Sequence, residues 1–413
     1  MELKEIRTKL TDAIIAGNIP QIVTFTMTMA FHMGSSDVHI EPGERVVRLR
    51  FRVDGLLQEI IEYPSNIHSA VVSRIKILSG LKIDEQRKPQ DGRMQMSTDD
   101  RKLIEMRVSS LPTLHGEKIC MRIQDKNRSI PSLEELGLRG NNYKSMLATI
   151  QNPNGITLVT GPTGSGKTTT LYSALSMLNT VDVNIMTIED PIEYEMKGLS
   201  QSQVQPDIGY DFFFGLRTAL RQDPDIIMVG EIRDQETIEI AIRAALTGHM
   251  VLSTIHTNSA AATITRILDM GVKPYKITSS LRTVEAQRLV RKICEQCKEE
   301  FEPEDIIKKE ISQELEKLHP NEDFDRSLLK NIKLFRGKGC PHCEGTGMKG
   351  RISIFEVMLM TREIEKLILE SGSERAIEEL AISQGMTTMV QDGYIKALLG
   401  ITTLEEIYKV ATS

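Results

Sequence analysis

Gly155-Ile156-Thr157-Leu158-Val159-Thr160-Gly161-Pro162-Thr163-Gly164-Ser165-Gly166-Lys167-Thr168 divides into two parts. The first six residues form a short apolar run of strand type, and the rest is glycine-rich. Leu171, Leu175 and Leu178 then follow at helical spacing. Strand, loop and helix in this order are the setting that makes G-x-x-x-x-G-K-T a phosphate-binding loop. Glycines let backbone N–H groups curl around phosphate oxygens, and the helix N-terminus adds positive partial charge. The predicted nucleotide site is Gly161, Pro162, Thr163, Gly164, Ser165, Gly166, Lys167, Thr168 and Thr169. Lys167 would bridge the β and γ phosphates of ATP, and the Thr168 hydroxyl would ligate Mg²⁺. A chance match in a glycine-rich turn is the competing reading, and both flanking elements argue against it.

A second apolar strand, Asp225 to Val229, is followed by Gly230 and Glu231. An acid at that place can hold Mg²⁺ through water or accept a proton from an attacking water; otherwise it is a surface acid at a strand end. Thr187-Ile188-Glu189-Asp190-Pro191-Ile192-Glu193-Tyr194 crowds three acids around a proline, which suits Mg²⁺ and water handling or a solvated acidic turn. Thr247 to Asn258 reads as a further strand with His249 at its start. A histidine there can donate to a γ phosphate, although a lone strand histidine is more often structural.

Cys294-x-x-Cys297 and Cys340-x-x-Cys343 are two knuckle-like pairs with glycines at 337, 339, 345 and 347 for the tight turns. Two such pairs complete a closed tetrahedral site, so a structural Zn²⁺ on four sulfurs is expected, with His342 as a substitute ligand. Cys120 is left over and reads as a buried apolar residue. Asp37, His39 and Glu41 share one face of a predicted strand. Their spacing is too tight to converge on one ion, so a hydrogen-bonded network is expected there.

The chain has 413 residues and a formal net charge of −6, with aromatics at 4% and no Trp. That balance disfavours a polynucleotide groove, which needs basic excess and stacking rings. No apolar run approaches the ~18–20 residues that span a bilayer, and no export signal opens the sequence. A cytoplasmic protein is expected, brought to a membrane only by a partner. The length calls for several domains. Residues 1–125 mix helix and strand signals, including strands at Val46 to Gly55, Leu103 to Val108 and Lys118 to Ile123. Residues 126–134 read as a linker and 135–290 as an α/β domain with a mostly parallel sheet. Residues 291–352 hold the cysteines around a charged insert whose Ile306, Ile307, Ile311 and Leu315 form a helical stripe. Residues 353–413 read as a small helical bundle.

Taken together these segments resemble the type II/type IV secretion ATPase superfamily, the hexameric motors of type II secretion and type IV pili. The similarity lies in the phosphate loop, the acid box Thr187 to Tyr194, the run Ile226 to Asp234 and the histidine box Thr247 to Asn258, in that order. Ser36 to Pro42, Leu216 to Asp225 and Ala286 to Arg291 add to it. The resemblance implies an α/β fold: a RecA-like P-loop ATPase domain, an N-terminal α+β PAS-like domain, a four-cysteine zinc subdomain and a C-terminal helical subdomain. Nucleotide would lie between the two main domains. It also implies Glu231 as catalytic base, Glu193 assisting at the Mg²⁺ or water site, and His249 as γ-phosphate sensor. Arg107 and Arg122 match arginines that reach the phosphates in relatives, and Arg217 and Arg221 match a second arginine set, at subunit contacts or near the nucleotide. The expected protein is a homo-hexameric ATPase that powers pilus assembly or type II secretion through an inner-membrane platform protein, without nucleic acid. Pilus retraction is the alternative, weakened by the four cysteines, which retraction relatives lack; a DNA translocase is a more distant one. Two departures stand out. The additional N-terminal docking domain usual in the family is not evident, and Met348 precedes Lys349-Gly350-Arg351 where an aromatic residue is common.

Overall fold

A computed structural model of the chain describes residues 3–97, 103–124 and 129–411. Residues 125–128, which include the start of the expected linker, lie outside the described residues. The chain forms two compact units, Met1–Ser129 and Ile130–Ser413.

In the first unit, helices α1 (Leu3–Ile15), α2 (Ile19–His32) and α3 (His68–Leu78) pack on a six-stranded antiparallel sheet. Its strands are β1 (Ser35–Pro42), β2 (Val46–Val53), β3 (Leu56–Pro64), β4 (Gln90–Ser97), β5 (Leu103–Thr113) and β6 (Gly116–Gln124), in the order β3-β2-β1-β6-β5-β4. Alternation sets the faces: Val47, Leu49, Phe51, Val38, Ile40, Ile119 and Met121 turn into the core, while Arg48, Arg50 and Arg52 turn out. Asp54 and Gly55 at positive φ (47° and 86°) close the β2–β3 hairpin.

The second unit is built on a seven-stranded sheet. Its strands are β7 (Gly155–Thr160), β8 (Ile185–Glu189), β9 (Leu199–Gln203), β10 (Ile226–Val229), β11 (Met250–Ile255), β12 (Leu281–Ile293) and β15 (Met348–Leu359); β13 (Lys298–Phe301) and β14 (Leu334–Gly337) pair separately. The order is β15-β12-β7-β11-β10-β8-β9, with every neighbouring pair parallel except β12 with β15. Helices cover both faces, as buried parallel strands require. Ile156, Leu158, Ile227, Val229 and Val251 meet the helices at Gln235–Leu246 and Ala260–Asp269. Val159, Met228 and Leu252 meet Leu171, Tyr172 and Leu175 of the helix Lys167–Leu178.

The positions expected as boundaries, 290/291 and 352/353, both fall within strands of this sheet. β12 and β15 form one long antiparallel pair, with residues 294–347 inserted between them, that carries the sheet outward to the cysteines. The helix of the charged insert packs one side inward. Ile311 and Leu315 are fully buried against Tyr394, Ile395, Leu398 and Ile407 of the C-terminal helices, and only Ile306 faces water.

Candidate functional site

In a parallel sheet every strand delivers the loop after it to the same edge. β7, β8, β10 and β11 therefore bring together the loops that begin beyond Thr160, Glu189, Val229 and Ile255. The loop after β7 is the phosphate loop. Gly161, Gly164 and Gly166 have φ of 148°, 80° and 93°. A Cβ on Gly161 would lie 2.5 Å from Ser165 Oγ and 2.6 Å from the Gln287 carbonyl oxygen, so the curl demands glycine there. Pro162, Thr163 and Gly164 are exposed at the tip, and Thr168 and Thr169 are half-buried in the first helical turn. The Lys167 ammonium donates to the carbonyls of Gly161 (2.9 Å) and Pro162 (3.0 Å). Burial pulls its pKa down to about 8, Glu231 opposes that shift and Arg288 adds to it. The loop thus presents a cation and a curl of backbone at a helix N-terminus, which fits a nucleotide phosphate.

Glu231 comes after β10, one residue beyond Gly230, and its side chain is 15% exposed. One carboxylate oxygen pairs with Arg233 and the other lies 3.3 Å from His256 Nε2. Asp234, at the end of the same run, caps the next helix by accepting from Thr237 N at 2.8 Å. Thr160 Oγ1 donates to the Ile255 carbonyl and accepts from Thr257 N at 2.8 Å, which ties the phosphate-loop strand to the histidine box.

The acid box divides by role. Glu189 is 1% exposed and accepts from Thr187, Tyr172 and Gln201. Burial pushes its pKa up, so it is held as part of the frame. Glu193 is half-buried in the loop beyond β8, at the same sheet edge as the phosphate loop. The rings of Tyr194 and Tyr172, 5.2 Å apart, anchor that loop to the helix that begins with Lys167.

The structure places His249 away from this edge. It precedes β11, and its carbonyl accepts from Gly155 N, the first residue of β7. Its Nδ1 lies 2.9 Å from the Ala244 carbonyl and 3.2 Å from Thr247 Oγ1. The six residues of β11 separate it from the loop edge, roughly 20 Å at ~3.3 Å per residue. His256, at the other end of that strand, is the histidine brought to Glu231; it belongs to the same histidine box, whose local pattern points to His249 instead. Arg217 and Arg221 lie on the surface, as residues at subunit contacts would. Both are exposed on and beyond the helix Phe212–Ala219, with Arg217 over the Phe214 ring at 5.4 Å and Arg221 donating to the Arg217 carbonyl at 3.0 Å.

In the first unit, Arg107 and Arg122 are cross-strand partners on the outward face, and Arg93 extends the row. Arg122 Nε donates to Asp37 at 3.0 Å. With Ser109 and Cys120 they line a cavity of about 460 Å³. Cys120 is half-buried on this polar face, rather than in the apolar core as expected. Asp37 and Glu41 are committed to Arg52, Arg122, Arg50 and Lys118. Burial opposes ionisation of Glu41, but Arg50 and Lys118 outweigh it and hold the carboxyl at about 2.

The four cysteines come together from 46 residues apart, with Sγ–Sγ separations of 3.8 Å (294–340), 3.8 Å (297–343) and 3.7 Å (340–343). A tetrahedron with ~2.3 Å metal–sulfur bonds has edges of about 3.8 Å. Among the described residues this is the group able to hold a metal ion. Burial works against ionising Cys343, but N–H donation from Cys340 and Gly347 at 3.2 Å outweighs it and pulls the thiol down. The donor set, spacing and charge fit Zn²⁺.

The family model described as "Type II/IV secretion system protein" matches residues 13–409. The chain is 46% identical over 403 residues to the type IV pilus assembly ATPase PilB of Pseudomonas aeruginosa, covering 97% of this chain and 69% of that one. It is 43% identical over 392 residues to the type II secretion system ATPase E of Vibrio cholerae, covering 95% and 75%. Among solved structures, the pilus retraction motor PilT with bound ADP is similar at a TM-score of 0.61 and 26% identity, covering 94% of this chain and 96% of that one.

Proposed function

From its place in the type II/IV secretion system protein family, to which this chain belongs, we propose that it is the ring-forming motor subunit of a pilus-assembly or type II secretion machine. It is an ATPase of the secretion and pilus class with a P-loop α/β fold. The observation that carries the reading is the convergence of Lys167, Glu231 and His256 on one sheet edge beside a complete phosphate loop.

Gly161 to Thr169 would hold the phosphates of ATP and the Thr168 hydroxyl would hold Mg²⁺, which would supply positive charge to neutralise the phosphates. Glu231 accepts the proton of the attacking water, Glu193 orders water or Mg²⁺ from the neighbouring loop, and His256 keeps the Glu231 carboxylate oriented. Arg107, Arg122, Arg217 and Arg221 lie outside the loop and are assigned to phosphate or neighbouring subunits in the assembled ring. The four cysteines would hold a structural Zn²⁺ that fixes the end of the β12–β15 pair. The ring is a homo-hexamer working at the cytoplasmic side of the inner membrane through a platform protein. Among the described residues no helix is long and apolar enough to cross a membrane. Assembly is favoured over retraction because the relatives at 43–46% identity are named for pilus assembly and secretion, whereas the retraction motor stands at 26%.

The test is complementation of a strain lacking its own copy, with ATP turnover measured on the purified protein. Wild type should restore filament extension or secretion and form hexamers by native mass spectrometry, and Lys167→Ala should do neither work nor hydrolysis. Restored function by Lys167→Ala would refute the proposal.

A further inference from the structure

Gln287 lies on β12, next to the strand that feeds the phosphate loop, and is fully buried. Its Nε2 donates to the carbonyl of Ser165 at 2.5 Å, and its Oε1 accepts from the Thr170 hydroxyl at 2.7 Å. Ser165 and Thr170 are themselves buried, at 3% and 0% exposure. A carbonyl can only accept, so the amide orientation is fixed: the NH₂ faces Ser165 and the oxygen faces Thr170. A glutamate of the same shape would set acceptor against acceptor.

The two anchors bracket the residues that matter. Ser165 is the last loop residue before Gly166, and Thr170 closes the first helical turn, so Gly166, Lys167, Thr168 and Thr169 lie between them. The carboxamide also packs on Gly166, where a Cβ would come 3.0 Å from Nε2, and the Gln287 carbonyl crowds the Cβ position of Gly161. One side chain and its own backbone thus touch both ends of the loop. Gln287 makes no contact with the exposed face at which phosphate would sit, so its action on a ligand is indirect.

We propose that Gln287 is a positioning residue for Mg-ATP. Its carboxamide clamps the last peptide of the phosphate loop to the first turn of the helix after it and so sets where Lys167 and Thr168 present their donors. This rests on the reading that the loop binds nucleotide.

The experiment titrates the full-length protein with a fluorescent ATP analogue and Mg²⁺, with steady-state turnover and thermal unfolding measured on the same samples. Gln287→Met removes both hydrogen bonds at similar volume and should weaken binding about tenfold, the size of a buried hydrogen bond left unmade. KM should rise by a similar factor while kcat at saturating ATP falls less than twofold, with the melting transition kept. Gln287→Glu should bind more weakly than Gln287→Met, and Thr170→Val should lose about threefold. Wild-type affinity in Gln287→Met, or in Gln287→Glu, overturns the proposal. If Gln287→Met has no melting transition, Thr170→Val decides, and unchanged affinity there overturns it. A wild-type chain that binds no Mg-ATP would instead bring down the nucleotide reading of the loop.

Discussion

The two edges of the parallel sheet in residues 130–411 are made from the same strands and do different things. At the edge where β8, β10 and β11 begin, polar groups are occupied with one another. His249 is turned to the Ala244 carbonyl, and the Asn184 amide holds the Gln222 and Asp223 carbonyls at 3.1 and 2.7 Å. At the edge where they end stand Lys167 with a depressed pKa, Glu231 between Arg233 and His256, and the glycine curl of the phosphate loop. The difference teaches that strand direction sorts residues of similar type into frame and chemistry. His249 and His256 bracket one strand of six residues, and only the second reaches the acid.

The largest effect should come from neutralising the acid at the chemical edge. Glu231→Gln is expected to lower kcat by about 10²–10⁴-fold, the usual worth of a positioned proton acceptor, while the variant still binds Mg-ATP. Single-turnover hydrolysis checks this, and near-normal turnover would move the chemistry away from that edge.

Stripping the metal sharpens the comparison beyond the sheet, because β12 continues past the loop edge to Cys294. Structural zinc binding is strong, so chelation or Cys340→Ser should lower the melting temperature of the cysteine region by on the order of 10 °C. Elemental analysis should find one zinc per chain, and unchanged melting after chelation would refute a structural role.

A smaller effect should appear between the edges. Glu285 on β12 is fully buried without a hydrogen-bond partner, and burial pushes its pKa up to about 8; Glu356 on β15 is raised to about 7, again chiefly by burial, against N–H donation from Ala260 and Met389. A carboxyl whose folded pKa is raised leaves stability intact below its unfolded value, near 4.5, and removes it as pH climbs through the folded value. Stability should therefore fall from about pH 5 to pH 8. Glu285→Gln should melt a few degrees above wild type at pH 8.5 and close to it at pH 5. A shift of equal size at both pH values would show that charge on Glu285 is not the cause.

Legibility in the sequence depended on the range over which each signal acts. The phosphate loop is contiguous and its strand and helix flank it, so local pattern sufficed. Two short cysteine pairs sufficed likewise, because the chemistry of four sulfurs constrains the partner. The choice between His249 and His256 needed the direction of β11 relative to β7, a pairing across about ninety residues that no local period encodes. Gln287 escaped because its role depends on β12 lying beside β7, and a buried amide carries no signature in a sequence. Composition changes at the cysteines mark positions 290 and 352 in the sequence, whereas the antiparallel pairing of β12 with β15 runs across both and is a long-range feature.

We propose that hydrolysis is run from the edge where β11 ends. The most direct test is ATP turnover of His256→Ala and His249→Ala, measured side by side on folded protein with Mg²⁺. His256→Ala should lose about 10–100-fold in kcat, less than loss of the proton acceptor it orients, and His249→Ala should stay within about threefold of wild type. The reverse ranking, or equal losses, would contradict it.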